Sequence, residues 1–324
     1  MQRRRLGASG PEVSAIGYGA MSLSGTYGAS DDAESLDALH AVVDSGIDLI
    51  DTAEAYGGGH NERLVGRFLA ETSARVFVST KFGIYFDGGA PRVDCSPTNA
   101  RRAVEGSLER LGVECIDLYY AHRVDANVPI EETVGALAEL VHAGKIAHVG
   151  LSACKPDTLR RAAAVHPITA VQSEYSLWTR DPERGVLAAC DEVGAGFVPY
   201  SPLGRGFLAD QTPDADALDG FRRHVPRLAG ANLDHNMAIA REIQKIATEL
   251  GLTTSQLALA WCTARGEHVV PIFGTRRRAR VIENALAGDV VLDAATLERL
   301  DAVSPPGATR GSALPEFMAS LAER

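Results

Sequence analysis

Positive charge is in deficit: 32 Lys and Arg stand against 42 Asp and Glu in 324 residues, a formal net charge of −10. That balance argues against nucleic acid or an anionic lipid surface as the main partner. Long apolar runs are missing too. None approaches the roughly 18 residues that a membrane-crossing helix needs, so no membrane partner is expected. The basic start Met1-Gln2-Arg3-Arg4-Arg5 has no apolar segment behind it and does not read as a secretory signal. Cysteines are few and unpaired in pattern: Cys95, Cys115, Cys154, Cys190 and Cys262 are odd in number, far apart and without a C-x-x-C. They suit reduced thiols in a cytoplasmic protein and supply neither a disulfide framework nor a zinc site. Finally, Gly17-Tyr18-Gly19-Ala20-Met21-Ser22 lacks the third glycine of G-x-G-x-x-G, which argues against a doubly wound dinucleotide domain.

What is present is ordinary globular composition, 45% hydrophobic and 23% charged, which excludes a disordered or collagen-like chain. Short apolar runs recur at 15–19, 47–51, 76–80, 116–120, 146–151, 169–172, 196–200 and 268–272. Their length and β-branched or aromatic content predict buried parallel strands. Between them lie stretches of helical period at 30–44, 61–69, 97–111, 130–143, 156–165, 182–193, 236–250 and 255–265. Ser96-Pro97 predicts an N-cap followed by proline in the first turn, and Gly112 a C-cap. Eight strands in strict alternation with helices predict a (β/α)8 barrel, one domain over 1–324. The polar stretch 204–235 breaks the rhythm after the seventh strand. It is either a lid over the barrel mouth or a solvated excursion. Two further helices are expected at 277–286 and 294–303, followed by a tail rich in Pro and Gly.

In such a barrel reactive side chains stand at the C-terminal ends of strands. Those ends carry Asp51 with Tyr56 just beyond it, Lys81, and His122. Each alone has a bland explanation: a turn cap, a loop aromatic, a solvated lysine, a satisfied histidine. Together they form an apparatus for protonating a carbonyl oxygen. A tyrosine, with an ordinary pKa of about 10, is a poor acid near neutrality. A neighbouring ammonium stabilises its phenolate, and a buried carboxylate keeps that ammonium charged and oriented. An imidazole beside the phenol positions the carbonyl or relays the proton.

The same residues carry a family resemblance. Asp51-Thr52-Ala53-Glu54-Ala55-Tyr56-Gly57 resembles the D-T-A-x-x-Y-G motif of the aldo-keto reductase superfamily, and Thr80-Lys81 resembles its T-K segment. Asp117-Leu118-Tyr119-Tyr120-Ala121-His122-Arg123-Val124-Asp125 is similar to its D-L-Y-x-x-H-x-x-D. Further matches come in family order: Gly150-Leu151-Ser152, Val171-Gln172-Ser173-Glu174-Tyr175, Tyr200-Ser201-Pro202-Leu203-Gly204-Arg205-Gly206 and Pro271-Ile272-Phe273-Gly274-Thr275-Arg276. The style is that of the bacterial, yeast and plant branch.

The resemblance implies Tyr56 as general acid, Lys81 as its tuning cation, Asp51 as the partner of Lys81, and His122 as the group that orients the carbonyl. It also implies NADPH/NADP+ bound extended across the barrel mouth. Ser152 and Gln172 would hold the carboxamide, Tyr200 would stack under the nicotinamide, and backbone amides around Ser201, Leu203 and Gly206 would meet the pyrophosphate. Gly19, Met21, Asp51, Pro202, Gly274 and Thr275 complete the implied cofactor contacts. Ala20-Met21 stands where many members have Thr-Trp, so no substrate contact by that tryptophan is carried over. Ala231 stands where related sequences often carry Glu.

The cluster Arg276, Arg277, Arg278 and Arg280 opens a predicted helix, where cations oppose the macrodipole. An adenosine 2′-phosphate would offset that through charge-assisted contacts. The resemblance places Arg276 and Arg280 at the phosphate and Glu283 and Asn284 at the adenine, with Arg277 and Arg278 in solvent. Trp178 either lines the pocket or packs. The expected activity is NADPH-dependent reduction of an aldehyde or ketone, a small-molecule carbonyl substrate. The alternatives are a non-catalytic NADP-binding regulatory subunit of the potassium-channel β type, a Schiff-base aldolase using Lys81, and a metal centre from Asp51, Glu54 and His60. No metal is expected, because that spacing does not promise convergent ligands.

Overall fold

The computed structural model describes residues 1–324 except 87–90, 213, 215–217, 219, 322 and 324. Two short antiparallel strands come first, β1 (Arg3–Arg5) and β2 (Glu12–Ser14). Eight parallel strands then form one sheet: β3 (Gly17–Gly19), β4 (Leu49–Asp51), β5 (Phe77–Phe82), β8 (Ile116–Ala121), β9 (Ile146–Ser152), β10 (Ala170–Glu174), β11 (Gly196–Tyr200) and β12 (Ile272–Phe273). A small hairpin, β6 (Ile84–Tyr85) with β7 (Arg92–Val93), comes after β5. The sheet runs in spatial order β11-β10-β9-β8-β5-β4-β3-β12. A single bridge between Phe197 and Val269 brings its two ends together. This is a (β/α)8 barrel, as the alternation predicts.

The eighth strand is shorter than the apolar run 268–272 suggests. Pro271 has no N–H to give to a ladder, and its carbonyl accepts from Gly17 N at 2.8 Å. On its N-terminal side, Phe197 N donates to His268 O and Val270 N to Phe197 O, both at 2.9 Å. Regular pairing with β3 resumes only at Ile272.

Side-chain alternation decides what faces the barrel axis. Leu49, Leu118, Ala170 and Val198 fill its interior, packed by Phe77, while their alternating neighbours Ile50, Tyr119, Val171 and Phe197 join the helix-side core. Two residues further along the inward-facing rows stand Asp51, Ser79, Tyr120, Gln172 and Tyr200, and one step beyond these come Lys81 and His122. The apolar layer thus supports a polar layer at the C-terminal mouth. Below it, the β1–β2 hairpin inserts Leu6 and Val13 into the same interior cluster and plugs the other end. Gly150 makes room within this packing, since a Cβ there would lie 2.4 Å from the Tyr120 ring.

The outer layer is α1 (Asp32–Asp44), α2 (His60–Glu71), α3 (Pro97–Leu111), α4 (Ile130–His142), α5 (Pro156–Val165), α6 (Val186–Val193), α7 (Gly230–Glu249), α8 (Thr254–Thr263), α9 (Arg278–Ala285) and α10 (Ala294–Val303). Ser96 caps α3 by accepting from Asn99 N, and Gly112 ends it at φ 67°, as their order in the sequence implies. Two helices differ from expectation. The run 182–193 breaks at Gly185 (φ 134°) into a 3-10 turn, Asp181–Arg184, and α6. Helix α7 begins at Gly230, six residues before the expected start at 236. Leu233 and Asn236 are buried there, and Asn236 donates to Arg227 O at 3.0 Å and Arg310 O at 2.9 Å, so tertiary packing extends a segment that reads as loop.

The excursion 204–235 is therefore shorter than expected, ending at Ala229, and holds 3-10 turns at Gly204–Gly206, Gly220–His224 and Pro226–Leu228. Its residues 213, 215–217 and 219 lie outside the described part. Phe221 N donates to Thr26 O at 3.0 Å, and the Arg222 guanidinium covers the Tyr27 ring at 4.4 Å. The excursion thus crosses to the loop after β3 over the mouth. No helix among the described residues is long and apolar enough to cross a membrane.

Candidate active site

Asp51 ends β4 and Lys81 lies near the end of β5, both with side chains essentially inaccessible to solvent. Such a charge pair is tolerable inside a protein only when the remaining lone pairs and protons are also matched. Here they are. Lys81 Nζ donates to Asp51 Oδ1 and, at 2.8 Å, to Thr52 O. Asp51 Oδ2 accepts from Ser79 Oγ at 2.7 Å and Gln172 Nε2 at 2.9 Å. The third direction of the ammonium is Tyr56 Oη, at 3.4 Å. Burial disfavours the ammonium, but Asp51 and Tyr56 together outweigh it and hold the Lys81 pKa above its ordinary value.

Tyr56 reaches this point because three glycines come directly after it. Gly57, Gly58 and Gly59 adopt φ of 60°, 60° and 84°, three successive left-handed residues that turn the chain sharply into α2. Left-handed backbone disfavours a residue with a Cβ by roughly 1–2 kcal/mol. A Cβ on Gly58 would meet nothing within 4 Å, so only this conformational effect acts there. Gly58→Ala is accordingly expected to lower unfolding free energy by about 1 kcal/mol in a denaturant titration. An unchanged midpoint would show that the turn forms without glycine.

His122 packs edge-on against Tyr56, with ring centroids 5.8 Å apart at 80°. Burial, then the cations Arg123 and Lys81, hold its imidazole well below the ordinary range, so it is neutral at physiological pH. Burial pushes the Tyr56 phenol up, against the downward pull of Lys81. The sequence leads one to expect the ammonium to dominate. With the ring enclosed, desolvation outweighs it, and Tyr56 keeps its proton at neutral pH.

These groups open onto a cavity of about 960 Å³. Every residue named above as a cofactor contact, from Gly19 and Met21 through Tyr200 to Asn284, lines it, as do Tyr56 and His122. Lys81 stands behind Tyr56 and off the wall. Several of these groups take partners other than those expected. Gln172 donates to Asp51, Ser152 Oγ accepts from Arg123 Nη1 at 3.2 Å, and Gly206 N donates to Leu203 O at 2.9 Å. Ala153, Ser201 and Arg205, the non-glycine residues with positive φ among those described, all lie on the loops after β9 and β11 that frame this cavity. Such backbone strain gathers where a site is shaped. Gly274 also marks close approach, since a Cβ there would lie 2.8 Å from Gly19 O.

At the far end Arg276 donates to the carbonyls of Tyr27, Gly28 and Ala29, and Arg280 to Gln211 Oε1 at 3.2 Å. Arg278 turns away and pairs with Asp37 at 3.0 Å and Asp44 at 3.2 Å. Arg277 is exposed yet lines the cavity. Burial, and then the neighbouring Arg277, lower the Arg280 pKa against the upward pull of Glu283. No carboxylate pairs with Arg276, Arg277 or Arg280 among the described residues. The donor set suits a long ligand with an anionic tail at this end and an aromatic head beside Tyr200.

Three features of the cavity have no role that the motifs imply. Arg123 is buried in the wall, and Phe86 and the tail residues Leu314, Phe317 and Met318 line the cavity. Trp178 is outside the main cavity, stacked on Phe207 at 6.0 Å, and lines a smaller one of about 350 Å³. Asp51, Glu54 and His60 do not converge. Glu54 accepts from Gly83 N at 2.8 Å, while His60 contacts Ser24 at 2.9 Å and Asp32 at 3.0 Å.

Comparison with known proteins places this geometry. The model of the aldo/keto reductase family matches residues 15–305. A probable aldo-keto reductase 1 from Glycine max is 43% identical over 318 residues, covering 96% of this chain and 91% of the relative. A glycerol dehydrogenase from Gluconobacter oxydans superposes with a TM-score of 0.84 at 29% identity, over 94% of this chain and 96% of that one. An aldo-keto reductase from Bacillus halodurans, in its holo form, does so with 0.80 at 27%, with the same coverage.

Proposed function

The chain belongs to the aldo/keto reductase family, and we propose that it reduces aldehydes or ketones to alcohols, with NADPH supplying the hydride and Tyr56 the proton. The observation that carries this reading is the chain of contacts Asp51–Lys81–Tyr56 ending at a cavity wall that also holds His122.

Each residue has a share. The phenol carries its proton at neutral pH, since its ordinary pKa is about 10 and burial pushes it up. As the proton moves to the carbonyl oxygen, the growing phenolate charge faces Lys81 Nζ, which Asp51 and Thr52 O hold in place. That is electrostatic stabilisation by groups already oriented, the kind worth most in an enclosed site. Neutral His122 has an N–H to give to the carbonyl oxygen and thereby fixes its position against Tyr56. In the reverse direction the same phenolate accepts the proton of an alcohol. A Schiff-base role for Lys81 fits poorly. Such a lysine must lose its proton to attack, and here its pKa is held up by Asp51 and Tyr56.

Arg276 and Arg280 support NADPH over NADH, because they bring positive charge, with no ion pair among the described residues, to the end of the cavity where Glu283 and Asn284 stand. Arg280→Ala is expected to weaken NADPH binding by about ten- to a hundredfold, the effect of losing a hydrogen bond to a charged group. NADH binding should change little in the same fluorescence titration, and equal losses would remove the phosphate assignment. The activity itself is tested by following NADPH oxidation against a panel of aldehydes, ketones, sugars and pyridoxal. Carbonyl-dependent oxidation is the expected result, and none with any class contradicts the reading.

A further inference from the structure

Arg123 is a buried charge that the proton path leaves unexplained. It comes after His122 beyond the end of β8, is 7% exposed, and lines the main cavity. Its Nη1 donates to His122 O at 2.6 Å and to Ser152 Oγ at 3.2 Å, both neutral acceptors. Arg180, Arg205 and Arg227 are buried to the same degree, and each has a carboxylate. Arg180 meets Glu183 at 2.7 Å and Asp301 at 2.9 Å, while Arg205 and Arg227 share Glu174 at 2.9 and 3.5 Å. Among the described residues no carboxylate pairs with Arg123. Asp51, the acid of the site, is already engaged by Lys81, Ser79 and Gln172.

Asp51 thus answers the charge of Lys81, and Arg123 has no ion pair among the described residues. A buried guanidinium without a counter-charge is strongly unfavourable, and something that enters the cavity must relieve it. We propose that Arg123 anchors a carboxylate on the substrate, so that the preferred substrates are carbonyl compounds that are also carboxylic acids. The guanidinium shares a wall with Tyr56 and His122, close to where the carbonyl must lie. Its planar fork matches a carboxylate, and a single cation balances a single negative charge. A phosphate would bring a second charge, for which this end of the cavity has no further unpaired arginine among the described residues. Neutral aldehydes and sugars leave the guanidinium uncompensated, and discrimination arises from that difference.

This inference rests on the carbonyl-reduction reading, and its test separates the two. 4-Carboxybenzaldehyde and 4-formylbenzamide have nearly the same shape and differ in charge. The protein is expected to favour the acid in kcat/KM by about ten- to a hundredfold, and Arg123→Gln to remove most of that preference. Equal treatment of the pair by the wild type overturns the proposal. So does a Gln variant that loses both substrates alike, or one that weakens NADPH instead of the acid. Calorimetric titration with the corresponding products, 4-(hydroxymethyl)benzoate and 4-(hydroxymethyl)benzamide, reads the same site without turnover. Tighter binding of the acid that depends on Arg123 supports the anchor even in a chain that reduces neither aldehyde, a result that would contradict only the reductase reading. Binding of the acid unaffected by Arg123→Gln overturns the anchor whatever the activity.

Discussion

Tyr56→Phe is expected to lower kcat for aldehyde reduction by about 10²- to 10⁴-fold, the usual contribution of a positioned general acid. The ring, its edge contact with His122 and its place over Lys81 are preserved, so only the proton and its oxygen are lost. NADPH affinity should stay close to that of the wild type, because the phenol meets the reacting carbonyl. The pH profile of the wild type sharpens the point. Reduction needs Tyr56 protonated, and its pKa is raised from about 10 by burial, so kcat/KM should hold through neutrality and fall only as alkali removes the proton. Neutral His122, held well below its ordinary range, should add no limb near pH 6.5. A variant with undiminished turnover, or a wild-type profile that falls across neutral pH, would assign the acid elsewhere.

Lys81→Met carries the second large effect, and it falls on stability as well as rate. It removes the ammonium and leaves the buried Asp51 carboxyl without its cation, beside Ser79 and Gln172. Breaking a buried pair from one side typically destabilises by about 3–5 kcal/mol. A loss of that size is expected in chemical unfolding, together with loss of carbonyl reduction. The double variant Asp51→Asn with Lys81→Met removes both charges. It should recover most of the stability, because the uncompensated carboxylate is gone, and none of the activity. A single variant as stable as the double would show that the pair is not buried as described.

The barrel was legible because its strands obey one rule. Apolar runs bounded by helical segments place the strands, and parity along them brings Asp51, Lys81 and His122 to one mouth with Tyr56. Motif and periodicity agree there because the proposed chemistry needs those side chains at strand ends. Other parts depend on distant packing and left no local mark. The plug strand Arg3–Arg5 is three arginines with no apolar alternation, held by register with Glu12–Ser14 and by Leu6 and Val13 beneath the barrel. Helix α7 starts within Gly230-Ala231-Asn232 because Leu233 and Asn236 are buried. Arg123 sits in plain view in the motif around His122, but its lack of a carboxylate partner among the described residues exists only in three dimensions. The tail residues Leu314, Phe317 and Met318 reach the cavity from the far end of the chain, which no spacing rule foresees.

In the proposed reaction Tyr56, at the end of the Asp51–Lys81 contact chain, gives its proton to a carbonyl as NADPH is oxidised. The most direct test follows NADPH oxidation with 4-carboxybenzaldehyde for the wild type and Tyr56→Phe side by side, at saturating cofactor. Rapid oxidation by the wild type with equimolar alcohol formed, and near-complete loss in the variant at unchanged NADPH affinity, is the predicted result. Equal rates for the two proteins, or oxidation without alcohol, would contradict it.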